Sequence, residues 1–104
     1  MISISISHAK SGEIQACAVS GHAEYDDPGY DIVCAAVSVL TCTAILGLQE
    51  VAKQNGQYSN GAGKCDIALT GEFTQSGQDI LKTMILGLQE ICKQYPEFVK
   101  FSDK

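Results

Sequence analysis

Residues Ile45 to Gln54 read ILGLQEVAKQ, and residues Ile85 to Gln94 read ILGLQEICKQ. Each segment fills the second half of a stretch whose apolar residues recur at helical spacing. A second echo precedes each helix: Ala18-Val19-Ser20-Gly21 and Ala68-Leu69-Thr70-Gly71 both close a stretch of strand character. The simplest arrangement that satisfies both echoes is a pair of strand–helix units lying side by side.

Working outward, Ile2, Ile4 and Ile6 alternate with serines, the period of a half-buried strand. Lys10-Ser11-Gly12 is a turn, and Ile14 to Ser20 is a second strand, so the chain opens with a hairpin. Gly21 to Tyr30, with Pro28-Gly29, is a loop. Asp31 can cap a long apolar helix that runs to about Gln54, with Gly56 as its stop. Gln57 to Gly63 is polar and glycine-rich and reads as a loop. Cys65, Ile67 and Leu69 alternate as a third strand. Ser76, with Asp79 three residues on, resembles a capping box and opens a second helix. Ile80, Met84, Leu88, Ile91 and Tyr95 mark its buried stripe, Pro96 ends it, and Phe98 to Phe101 form a short last strand. The predicted class is α+β in the order ββαβα with a final β, two long helices packed on one face of a small sheet.

With 104 residues the chain is expected to form a single domain over 1–104. Its 45% hydrophobic content supports a core. The net charge is −5, and all seven basic residues are lysines. That balance argues against direct nucleic-acid binding, which uses basic faces and favours arginine, and points to a basic protein or peptide partner. Met1 to Ser7 alternates and lacks a basic or long apolar leader region, so it reads as a strand rather than a signal peptide. No run is expected to approach transmembrane length, so no membrane partner is expected, and a cytoplasmic location follows. The five cysteines contain no CxxC pair, and in a reducing compartment they stay free. Cys17 and Cys65 in strands, and Cys42 and Cys92 in helices, read as core. His8 reads as a surface residue. Five scattered cysteines and two histidines do not make a metal site.

Cys34 differs by position. If Asp31 is the cap, Cys34 is the third helical residue, where free N–H groups and the helix dipole favour an anion and hence a thiolate. His22 ends the second strand, and the loop between the two is long enough to fold them together. Histidine exchanges protons near neutrality, which suits a base for a thiol nucleophile. Taken alone, Cys34 packing beside Ala35 and Ala36, and His22 packing on its strand, are equally open.

The blocks Gly21-His22-Ala23 and Gly29-Tyr30-Asp31-Ile32-Val33-Cys34-Ala35-Ala36-Val37-Ser38 resemble the signature of the ribosomal-processing cysteine protease family Prp, without gap or exception. The resemblance spans the chain in length and element order. It implies a homodimeric bacterial cysteine endopeptidase, without cofactor. Such an enzyme removes the short N-terminal extension of a large-subunit ribosomal protein, cutting after a pair of aromatic residues. Carried onto these positions, Cys34 is the nucleophile, His22 the general base, and Asp31 and Ser38 support the site. Ser38 lies one helical turn after Cys34, where it can bond the thiol or close the pocket. Asp31 can cap the helix, while its charge opposes the thiolate. Glu24, Asp26 and Asp27 would attract a basic peptide, and Gly29 would let their loop close over it. Two alternatives stand beside this reading. One is a non-catalytic ribosome-assembly module using the acidic 24–31 loop. The other is a thiol-redox enzyme, which would need a resolving thiol near Cys34.

Overall fold

The computed structural model describes residues 1–23 and 31–103. The order is β1 (Ile2–His8), β2 (Ile14–Ser20), α1 (Ile32–Glu50), β3 (Gly56–Gly61), β4 (Lys64–Leu69), α2 (Gln75–Gln94) and β5 (Val99–Asp103). The five strands form one sheet in the order β3-β4-β2-β1-β5. Neighbours are antiparallel except β1 and β5, which run parallel. The α+β class with both helices on one sheet face is as the sequence indicates.

Alternation builds the core. Ile2, Ile4 and Ile6 are at most 2% exposed. Register then aligns their row with the next strands: Ile4 opposes Val19, Ile6 opposes Cys17, and Cys17 in turn opposes Ile67. Val33, Val37, Ala44 and Leu48 of α1 and Leu81, Met84, Ile85 and Leu88 of α2 close over that row. Ile80, Ile91 and Tyr95, expected in the buried stripe of α2, are only half-buried; the stripe is rotated toward Leu81 and Ile85.

The boundaries differ from the sequence reading in three places, each for a local reason. First, α1 stops at Glu50, and Gln54 leaves the helix to become a hydrogen-bonding hub. Its side-chain amide donates to the carbonyls of Asn55, Thr70 and Glu72, while its Oε1 accepts from the N–H and hydroxyl of Thr74. Secondly, residues 56–61 are not a loop but an edge strand paired to β4 from Gly56↔Leu69 to Gly61↔Lys64. An edge strand held by backbone bonds needs few apolar residues, and only Tyr58 packs against the core. Thirdly, α2 is capped by Thr74, whose hydroxyl accepts from Gly77 N–H, rather than by Ser76.

Helix α1 also departs from expectation in its apolarity. Its 19 residues are long and apolar enough, by length and composition, to cross a membrane. Yet Val33, Val37, Thr41, Ala44 and Leu48 are buried in the protein. The excess apolar surface lies on the outer side, where Ile32, Val39 and Leu46 stand exposed seven residues apart.

Candidate active site

The ladder between β1 and β2 continues one step past the strands, so that the Met1 amine donates to the His22 carbonyl at 2.6 Å. Gly21, at φ +92°, turns the chain there, and its N–H donates to the Gly63 carbonyl at 2.9 Å. A β-carbon at Gly21 would run into the Met1 carbonyl oxygen, so this turn excludes other residues. Ala23 follows, buried at 2% exposure. These anchors fix the end of β2 and leave the His22 side chain exposed.

From the other side comes the start of α1. Asp31 is its N-cap: one carboxylate oxygen accepts from Val33 N–H and Cys34 N–H, each at 3.0 Å. Cys34 is therefore the third residue of the helix, half-buried, with its sulfur accepting the Ala23 N–H at 3.2 Å. That bond ties the two segments together. The donor is a backbone amide, and the thiol sits in the first turn of α1, at the positive end of the helix dipole.

His22, Cys34 and Ser38 line one cleft of about 220 Å³. No hydrogen bond joins His22 to Cys34, or Ser38 to Cys34, among the described residues. Ser38 sits one turn beyond the thiol on the cleft wall, as its spacing predicts. Val37, Thr41 and Cys65 form the floor. Thr41, 2% exposed, satisfies its hydroxyl on the Val37 and Ser38 carbonyls. Cys65 has its thiol pKa raised, chiefly by burial. Cys17 is pushed up to about 12 by burial, with smaller contributions from Cys65 and Asp66. All five cysteines are free. Cys17 and Cys65 are core residues as expected, whereas Cys42 and Cys92 are only half-buried. Cys42 accepts from the Asn60 side chain at 2.6 Å, and Cys92 donates to the Val99 carbonyl at 3.3 Å. His8 is at the surface, paired to Asp103 at 2.6 Å.

The wall opposite α1 was not foreseen. It is the turn from β3 to β4, Asn60 to Lys64. Gly61-Ala62-Gly63 hints at a tight backbone approach, but nothing in the linear sequence connects it to His22. The expected substrate-loop residues Glu24, Asp26, Asp27 and Gly29 lie outside the described residues. Among the described residues no three His, Cys, Asp or Glu side chains converge to hold a metal ion.

A family model described as cysteine protease Prp matches residues 1–100. The ribosomal processing cysteine protease Prp of Staphylococcus aureus is 30% identical over 107 residues, with both chains covered in full. The crystal structure of S. aureus Prp with a covalently linked product peptide superposes at TM-score 0.93, with 25% identity and full coverage of both chains. A Streptococcus mutans protein superposes at TM-score 0.84 with 27% identity, covering 99% of this chain and 93% of its own.

Proposed function

Since the chain belongs to the cysteine protease Prp family, we propose that Cys34 is its nucleophile, His22 its general base, and the N-terminal extension of a large-subunit bacterial ribosomal protein its substrate. The observation that carries this reading is the placement of Cys34 in the first turn of α1, its sulfur on the Ala23 amide, in the cleft that His22 also lines. The S. aureus relative is a ribosomal processing protease and has been crystallised with a covalently linked product peptide, which supports extending the substrate class to this chain.

In this mechanism His22 takes the Cys34 thiol proton. The thiolate attacks the scissile carbonyl carbon, forming an S–C bond and a tetrahedral oxyanion. Collapse breaks the C–N bond, and His22 returns its proton to the leaving amine. Water, deprotonated by His22, then attacks the thioester, and collapse releases the carboxyl product and regenerates Cys34. Peptide entry brings the imidazole within hydrogen-bonding distance of sulfur, a contact that commonly tightens only in the substrate complex. Asp31 holds the helix turn that presents the thiol, and Ser38 borders the space beside it. The acidic residues Glu24, Asp26 and Asp27 add attraction for a basic ribosomal protein.

The test is incubation with the ribosomal protein precursor. Cys34→Ala should abolish cleavage in a folded protein, and His22→Ala should lower kcat about 100-fold to 10,000-fold. Cleavage by folded Cys34→Ala, or an undiminished kcat in folded His22→Ala, refutes the assignment. A binding module would hold the precursor without cutting it.

The homodimer belongs to the same proposal. Ile32, Val39 and Leu46 give α1 an exposed apolar stripe at a seven-residue repeat, suited to pairing with a second copy. Val39→Lys should yield a monomer by light scattering; an unchanged dimer would place the contact elsewhere.

A further inference from the structure

The imidazole of His22 stands close against Gly63. A β-carbon built on Gly63 would fall 2.6 Å from His22 Nε2 and 3.0 Å from Cε1. Real side-chain carbons do not approach that closely, so any residue but glycine would take the space the ring occupies. The turn cannot simply retreat, because the Gly63 carbonyl is bonded to Gly21 N–H, the residue before the histidine. On the other flank, the His22 carbonyl is held by the Met1 amine and the Ala23 amide by the Cys34 sulfur. With the backbone fixed on both sides, the ring is the part free to move. Gly63 also has φ +71°, a conformation that keeps its carbonyl aimed at Gly21.

We infer that Gly63 is a positioning residue for His22: the missing side chain in the β3–β4 turn sets where the imidazole stands relative to Cys34. The inference rests on His22 being the general base, but the position of the ring can be read separately from catalysis. A displacement of about 1 Å at a reacting group can cost about 100-fold in rate.

The experiment compares Gly63→Ala with Gly12→Ala in the full chain. Gly12 has φ +98° and open space around its β-carbon position, so that substitution adds backbone strain without a clash. Four quantities are measured: the His22 ring-proton chemical shifts by NMR, and kcat, KM and the pH profile of kcat/KM on a quenched-fluorescence peptide carrying the ribosomal protein's processed junction. Gly63→Ala should move the His22 resonances and lower kcat about 10-fold to 100-fold, with KM changed less than threefold. The pH profile of kcat/KM should shift on its acid limb. Gly12→Ala should leave all four unchanged. Gly63→Asn serves if the alanine variant does not fold, because asparagine tolerates positive φ yet still carries a β-carbon. Unmoved His22 resonances in a folded position-63 variant overturn the inference, whatever kcat does. A wild type that does not cut the peptide counts against the proposed function, and the resonances still decide the role of Gly63.

Discussion

Asp31 combines two effects that substitution can separate. One carboxylate oxygen receives both Val33 N–H and Cys34 N–H at 3.0 Å. Losing an N-cap acceptor costs about 0.5–2 kcal/mol. With two amides released in Asp31→Ala, the upper half of that range applies, about 1.5 kcal/mol. In a domain of this size each kcal/mol lowers Tm by about 4–8 °C, so the expected fall is about 6–12 °C. Asp31→Asn keeps the acceptor oxygen and removes the charge. Asparagine caps as well as aspartate does, so its stability should stay within about 0.5 kcal/mol of wild type. Its effect should fall on the thiol. With the carboxylate charge removed from the turn that carries Cys34, the iodoacetamide reaction at neutral pH should run a few-fold faster than in wild type. The assays are thermal denaturation and timed alkylation of the native protein. If Asp31→Asn melts as early as Asp31→Ala, the cap depends on charge rather than on the acceptor geometry, and the reasoning fails. If it alkylates no faster than wild type, the carboxylate charge does not act on the thiol.

Three further outcomes are expected. Gln54→Ala strips the bonds that tie the end of α1 to the β4–α2 connection at a site 3% exposed, and should cost about 3 kcal/mol in urea denaturation; a loss below about 1 kcal/mol would mean that water replaces the hub. His8 has its pKa raised, first by its hydrogen bond to Asp103 and next by its bond to the Gly12 carbonyl, in a cleft that also holds Glu13 and Lys82. A raised folded value means that the stabilisation is full below about pH 6.5 and lost as pH climbs through it; the urea midpoints of wild type and Asp103→Asn should therefore differ at pH 5.5 and converge by about pH 9, and a constant gap would refute the linkage. Brief alkylation near neutral pH should label Cys34 and spare Cys17 and Cys65, whose thiols are buried and raised; labelling of Cys17 in peptide maps of the folded protein would contradict its burial.

Features that depend on local periodicity and local capping were legible from the residues in order. Alternating isoleucines made β1, the spacing of Ile67 and Leu69 made β4, and Asp31 placed Cys34 in the first turn of α1, because these signals act over a few residues. The block from Gly21 to Ala23 and the block from Gly29 to Ser38 carry the family signature in the sequence itself. Strand β3 was hidden, since its pairing with β4 is made by backbone groups common to every residue and its side chains are mostly polar. Gln54 and Gln94 occupy matching places in the internal echo, yet one is buried and bonded to four backbone groups while the other is exposed. That difference depends on which connection each helix end meets in the folded chain. The same holds for the cleft. The packing of the chain brings the Gly63 turn against the His22 ring and the Ala23 amide onto the Cys34 sulfur, contacts set by sheet register and by the return of the chain rather than by residue type.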